Sequence, residues 1–393
     1  MTPGASSGSP HLFLSCGEAS GERYGVALAR ALQALEPDIR LSGLGGQALA
    51  DAGVALVARS DEIAVMGFGD VARALPRILR IRRRVRHAVA ADDLDGVVPV
   101  DFPGFNLDIA ARAKKSGRPV YFVVAPQLWA WGSWRLGQLR RSVDRLGTLL
   151  PFEAAFFSER GITCDALGHP LIEDYSELAA AAKRVQLDHS CSAQSEPLRI
   201  GLLPGSRRQE VTALVPVLAA AAEALCRTRP ERNFQWIVSS APGVDSAWLT
   251  ELKQRLGAEI TTEPMPQLLP RLDLALVCSG TASLEATLAG VPHSLVYRTS
   301  ALNYALGRTL VGVDRVGLAN LILDRDVVRE FLQGAARAQP LADDLDCWIR
   351  DRARRQRYGE HVRILHARLG STGFWERTAA SILALIRKDA PSV

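Results

Sequence analysis

Several stretches of this sequence put glycine, hydroxyl or charged residues where an apolar run gives way to a helical pattern. Leu202-Leu203-Pro204-Gly205-Ser206-Arg207-Arg208-Gln209-Glu210 is the first. A glycine there lets backbone amides close on an anion, and a helix start adds unpaired N–H groups and the positive end of a dipole. Arg207 can fork onto phosphate oxygens. Gly205, Ser206 and Arg207 therefore read as a phosphate site, although a plain strand-to-helix turn with a solvated arginine fits the same residues. Cys278-Ser279-Gly280-Thr281-Ala282-Ser283-Leu284-Glu285 repeats the arrangement. Ser279, Gly280 and Thr281 can bind phosphate or cap the helix. Glu285, one turn on, can accept two ribose hydroxyls or simply sit well near a helix N-terminus. Two such loops in one half of the chain converge on a nucleotide diphosphate. Asn320, in Gly317-Leu318-Ala319-Asn320-Leu321-Ile322, is a further candidate ligand or a turn-forming asparagine.

The first half carries a different chemistry. Val98-Pro99-Val100-Asp101-Phe102-Pro103-Gly104-Phe105-Asn106 puts Asp101 at the end of an apolar run. A carboxylate there can take a proton from an attacking hydroxyl, and its aromatic and proline flanks can raise its pKa by desolvation. A helix-capping aspartate is the plainer reading. Gly17-Glu18-Ala19-Ser20-Gly21-Glu22 makes a tight turn beside a ligand or only a capped helix start, and lacks the dinucleotide GxGxxG spacing. Pro126 to Trp134 holds three of the seven tryptophans. Tryptophans at a strand end can line a sugar or acyl site, or pack the core. Glu18, Ser20, Met66, Phe105, Asn106, Gln127, Trp129 and Trp131 are the acceptor or acyl-site candidates. Glu153 and His169 hold similar strand-end positions.

Arg73 to His87 reads RALPRILRIRRRVRH, with seven arginines and no acid. Leu75, Ile78, Leu79, Val85 and Val89 can form one stripe of a helix. Such a helix docks on anionic lipid, with Arg77, Arg80, Arg83 and Arg84 as contacts, or covers a sheet with its arginines solvated. Nucleic acid is not the expected partner, since no aromatic platform accompanies the arginines.

These residues need parallel βαβ units to position them. Strands are expected at His11–Cys16, Gly96–Val100, Val120–Val124, Arg145–Leu150, Leu198–Leu203, Gln235–Ser239, Leu274–Cys278 and His293–Tyr297. Helices are expected at Gly21–Leu35, Phe105–Lys115 and Gln209–Arg227, with a helical, charged tail from Asp343 to Lys388. A polar stretch from about residue 180 to 197 divides two such blocks. The expected class is α/β: two Rossmann-like doubly wound domains facing a cleft, followed by C-terminal helices. The expected divisions are 1–10 as a disordered tail, 11–190, 191–345 and 346–393, the last packing back on the first domain or on a partner chain.

The 393 residues suit two domains. Hydrophobic residues at 48% and charged residues at 23% are ordinary for a globular chain, and the net charge of +5 is mild. Six unpatterned cysteines (Cys16, Cys164, Cys191, Cys226, Cys278 and Cys347) read as reduced, buried thiols. The first ten residues lack the apolar core of a secretory signal, and no apolar run of about 18 residues is expected to span a membrane. Asp-x-Asp pairs at 93–95, 324–326 and 344–346 read as chance, so neither metal nor cofactor is expected.

Taken in order, GEASGE, VMGFGDV, DFPGFN, PQLWAW, LPFE, GHPL, LLPGSRRQE, SGTASLEA, VYR and LANLIL resemble the lipid-A-disaccharide synthase family from about His11 to beyond Leu323. Glu22 and Ala319 depart from its usual Asp and Pro. The resemblance implies a GT-B fold with the acceptor in the first domain and UDP in the second. It implies inverting transfer of 2,3-diacylglucosamine from its UDP conjugate to 2,3-diacylglucosamine 1-phosphate (lipid X), forming a β-1,6 linkage. It further implies a cytoplasmic protein attached peripherally to the inner face of a bacterial membrane, with a possible homodimer. Asp101 is then the essential acid, and Arg207, Ser279, Gly280, Thr281, Glu285 and Asn320 belong to the UDP site. The alternatives are another GT-B enzyme such as a UDP-sugar 2-epimerase, or a catalytically silent UDP-binding, membrane-docking protein.

Overall fold

The computed structural model describes residues 9–62, 68–180, 196–240, 246–299 and 315–387. It divides into two units, one formed by the chain up to Pro170 and the segment from Gly373 on, the other by Leu171–Thr372. The first unit contains β1 (His11–Cys16), β2 (Arg40–Gly45), β3 (Ala55–Arg59), β4 (Gly96–Val100), β5 (Tyr121–Val123), β6 (Arg145–Thr148) and β7 (Cys164–Ala166). They form one parallel sheet in the order β3-β2-β1-β4-β5-β6-β7. The second unit contains β8 (Leu198–Leu203), β9 (Phe234–Ser239), β10 (Glu259–Thr261), β11 (Leu274–Cys278), β12 (His293–Tyr297) and β13 (Glu330–Leu332). These too are all parallel, in the order β10-β9-β8-β11-β12-β13. Both are doubly wound sheets.

The apolar runs become central strands because helices cover both faces of a parallel sheet. On one face of the first sheet, Phe13, Val97, Phe122 and Leu146 pack with Ile81, Val85, Ile109 and Ala113. On the other, Leu12, Leu14, Val98 and Tyr121 pack with Leu28 and Leu32 of the helix Ala19–Leu35 and with Ile382 and Leu383 of the helix Phe374–Arg387. In each unit the strand order reverses once, between β1 and β4 and between β8 and β11. Crevices of this class open at that switch point, outside the carboxyl ends of the strands. Asp101, the Pro204–Arg207 loop and the Ser279–Thr281 loop all leave strands that border the reversal.

The division of the chain differs from the expected one. The helix Leu171–Ala180 belongs to the second unit because Leu171, Ile172 and Tyr175 are buried there, so the units part at Pro170/Leu171 and not near residue 190. The tail separates in the same way. The helices Ala338–Arg350 and Arg352–Leu369 stay with the second unit, where Leu341, Leu345, Trp348 and Tyr358 are buried. Only the last helix returns to the first. There Arg377 donates to the Leu167 carbonyl at 3.0 Å, and Ser381 bonds Asp165, which also accepts from the Tyr121 hydroxyl at 2.8 Å.

The helix Arg208–Thr228 is long and apolar enough to cross a membrane, contrary to the expectation from composition. Its apolarity serves the core. Val211, Leu214, Val215, Leu218, Ala221, Ala222 and Leu225 are buried, and the helix packs against the sheet and the helix Ala338–Arg350. Of the cysteines, Cys16 and Cys278 are buried and unpaired, Cys164, Cys226 and Cys347 are unpaired but only half-buried, and Cys191 lies outside the described residues.

Ile382 is fully buried in the face that the last helix closes. Ile382→Ala should cost about 2–5 kcal/mol, read as a lower urea midpoint at unchanged slope. A midpoint equal to that of the parent chain would mean that this helix does not close the first unit.

Candidate active site

In the second unit, β8 and β11 are paired, with Leu203 opposite Val277, so their two loops leave side by side. Gly205 has φ +100°, and a Cβ there would stand 2.5 Å from a Glu210 carboxylate oxygen and 3.1 Å from Cys278 Sγ. Only glycine fits that close approach. The helix Arg208–Thr228 starts at Arg207, whose side chain accepts no capping hydrogen bond, but Glu210 three residues on closes the capping box by accepting the Arg207 N–H. The start still turns the positive end of its dipole to an anion. Arg207 is exposed. Its backbone N–H and its guanidinium both donate to the Glu210 carboxylate at 3.2 Å. The helix Thr281–Leu288 also lacks a side-chain cap, so Ser279 and Thr281 do not fill the capping role. Ser279 is half-buried, and Gly280 and Thr281 are exposed. Glu285 is buried and accepts from the Tyr175 hydroxyl at 3.2 Å.

The Asn320 side chain is committed within the second unit. It is buried, and all four of its hydrogen-bonding positions serve the chain. Its amide nitrogen donates to the Val328 carbonyl and the Glu330 carboxylate, both at 2.8 Å. Its oxygen accepts from the N–H groups of Val327 and Val328 at 2.8 and 3.0 Å. The residue is a structural clamp on the turn ahead of β13, which corrects its expected place in the nucleotide site.

In the first unit, Asp101 and Phe102 both have φ +51°, a left-handed conformation costly to a residue with a side chain, and Val124 at the end of β5 has φ +66°. These outliers sit together, since the Asp101 N–H donates to the Val123 carbonyl at 3.0 Å. The turn frees Asp101 from the strand line before Pro103 starts the next helix. Burial raises the Asp101 carboxyl above the usual aspartate range, and a hydrogen bond from the Phe102 backbone partly opposes this. A Cβ on Gly17 would stand 2.2 Å from the Phe102 ring, so the first loop must have glycine there to pass the turn. Glu22, in the first turn of the helix that follows, accepts from the Leu49 N–H at 3.3 Å.

Two acceptor candidates prove structural. Asn106 is wholly buried, and its carboxamide bonds Ser15 Oγ, Ser15 O, Val100 O and Asp101 O. Phe105 is a core residue, its ring 6.0 Å from that of Phe102. Trp129 is half-buried and tied down by an N–H donated to Glu153 at 2.9 Å. Glu153 also accepts from the backbone N–H groups of Leu149 and Leu150, while burial raises its carboxyl. His169 is buried, and desolvation lowers it to about 4, so it is neutral near pH 7. Glu18 and Gln127 are exposed. Trp131 is 42% exposed and Trp134 65%. Met66 and the side chain of Ser20 lie outside the described residues.

Arg73–His87 falls within the helix Phe68–Ala88. Among the described side chains its buried stripe is Ile81 and Val85, continued by Val89; Leu79 is half exposed and does not belong to it, and the side chain of Leu75 lies outside the described residues. Arg82 and Arg86 pair with Asp108 at 2.7 and 2.9 Å. Arg77 donates to the carbonyls of Glu62 and Asp61, and Arg84 to that of Val57. Arg80 and Arg83 are exposed. The Asp-x-Asp pairs are also engaged: Asp93 with His11, Asp324 and Asp326 with Arg315, and Asp344 with Ser294, Arg329 and Arg354.

The sequence model of lipid-A-disaccharide synthetase matches residues 12–386, nearly all of the chain. This chain belongs to the lipid-A-disaccharide synthase family. The synthase of Syntrophus aciditrophicus is 35% identical over 381 residues, covering 96% of this chain and 98% of its own, and that of Myxococcus xanthus is 36% identical with the same coverage. Family membership makes the chain a glycosyltransferase of lipid A biosynthesis. Among solved structures, the calicheamicin glycosyltransferase CalG4 is similar at TM-score 0.58 and 17% identity over 98% of this chain and 100% of its own. A putative UDP-N-acetylglucosamine 2-epimerase from Listeria monocytogenes is similar at 0.60 and 11%, covering 97% of this chain and 98% of its own. At such identities these two show the fold alone, which is of GT-B type.

A raised folded-state pKa at Asp101 means that its ionised form costs stability once pH rises past the ordinary aspartate range, about 4. Asparagine tolerates the left-handed turn. Asp101→Asn should therefore melt above the parent chain at pH 7, with a margin that closes as pH falls through that range. A variant that melts lower at every pH would contradict the desolvated carboxylate.

Proposed function

We propose that this chain transfers 2,3-diacylglucosamine from its UDP conjugate to the 6-hydroxyl of 2,3-diacylglucosamine 1-phosphate, with inversion at the anomeric carbon. The carrying observation is Asp101, a partly desolvated carboxylate on a strained turn at the switch point of the first sheet. In this reading the Asp101 carboxylate takes the hydroxyl proton as the acceptor oxygen bonds to the anomeric carbon. The bond from that carbon to the UDP β-phosphate oxygen breaks, and its electron pair leaves with UDP. The negative charge that develops there is met by Arg207 and by the N-terminal ends of the helices Arg208–Thr228 and Thr281–Leu288. Glu285 accepts the ribose hydroxyls.

The substrates carry acyl chains, and we assign the protein to the inner face of the cytoplasmic membrane. Exposed Arg80 and Arg83, with half-exposed Leu79 on the same helix, support that reading. Arg77 and Arg84 can add charge only beyond the backbone carbonyls that they already bind.

Mass spectrometry after incubation with both lipid substrates should detect the disaccharide 1-phosphate, while incubation with the UDP-sugar alone should leave it unchanged. Turnover of the UDP-sugar alone would instead favour an epimerase. Asp101→Ala should lower transfer by about 10²–10⁴-fold, the usual contribution of a general base, and leave UDP affinity as it was. Arg207→Ala should raise the donor KM by roughly tenfold, as expected for one charge-assisted contact. Near-normal transfer by the Asp101 variant would remove the proposed base.

A further inference from the structure

We infer that Tyr175 is a positioning residue for the nucleotide site, fixing the Glu285 carboxylate that accepts the ribose hydroxyls. The inference rests on the assignment of Glu285 to ribose given above. Tyr175 stands on the helix Leu171–Ala180, the first element of the second unit, and is 0% exposed. Its hydroxyl reaches Glu285, 110 positions along the chain, and donates to Oε1 at 3.2 Å. Glu285 is only 8% exposed and sits one turn into the helix Thr281–Leu288, whose open start borders the diphosphate loops. A buried carboxylate needs donors, and a glutamate side chain has three torsions to fix. A donor that already holds the group in place removes that ordering cost from the binding step. The phenol is rigid, with two torsions, and its ring is anchored by complete burial. Together these place one carboxylate oxygen and, through it, the direction in which the group meets a pair of vicinal hydroxyls.

A tyrosine that merely packed would affect melting but not the choice between nucleotides that differ by one hydroxyl. The test compares the binding of UDP and of 2′-deoxy-UDP to the full chain by calorimetry. The parent protein should favour UDP by about tenfold or more, as expected for a hydrogen bond to a charged group. Tyr175→Phe keeps the ring and should cut that preference to about threefold or less, mainly by weakening UDP. Tyr175→Leu, measured where it is folded, should shift the ratio in the same way. Glu285→Ala should bring the ratio close to one, and adding Tyr175→Phe to it should change nothing further. If Tyr175→Phe keeps the parent ratio while Glu285→Ala abolishes it, the role of Tyr175 is overturned and the ribose assignment stands. If Glu285→Ala keeps the ratio, both fall.

Discussion

The Asn106 carboxamide gathers the ends of two strands around the turn that carries Asp101. Its nitrogen donates to the carbonyls of Ser15, Val100 and Asp101, and its oxygen accepts from Ser15 Oγ at 2.7 Å. This ties the carboxyl end of β1 to that of β4 at the sheet's switch point. It also helps to hold Asp101 and Phe102 in left-handed backbone, a conformation that costs of order 1–3 kcal/mol per residue. The return on that strain is a carboxylate lifted off the strand line and partly stripped of water. Gly17 completes the constraint, since any larger residue would meet the Phe102 ring.

The second unit solves a different problem with the same topology. Its switch point lies between β8 and β11, and both strands end in loops that open helices. Those helix starts supply fixed partial charge for an anion without side-chain ordering. Arg207 adds a full charge, and Glu210 receives both its backbone and its guanidinium. The glycine at 205 is what allows the Glu210 carboxylate to lie against the loop. In the proposed reaction one unit strains its backbone to prepare a base, and the other meets the leaving group with helix starts.

Much of this was legible in the sequence because parallel strands buried on both faces are written as unbroken apolar runs. Gly96–Val100, Leu198–Leu203, Leu274–Cys278 and His293–Tyr297 are strands with the expected bounds. Strands such as Arg40–Gly45 and Glu330–Leu332 are short, polar or glycine-bearing and give no such signal. Asn106 and Asn320 could not be sorted from ligand-binding asparagines, since their partners are backbone groups that only folding brings near. The contact between Tyr175 and Glu285 spans two helices remote in sequence and leaves no local pattern. The spacing of Arg207 and Glu210, three apart at a helix start, could have disclosed their pairing. The basic run looked uniform, yet Asp108 claims two of its arginines from a helix more than twenty residues away.

The central claim is that Asp101 works as a base because its surroundings raise its pKa. The most direct test is the pH dependence of kcat/KM for sugar transfer in the parent protein and in Asp101→Asn. The account predicts an acid limb in the parent with an apparent pKa above the ordinary aspartate range, and no such limb in the residual activity of the variant. An identical acid limb in both proteins would contradict it.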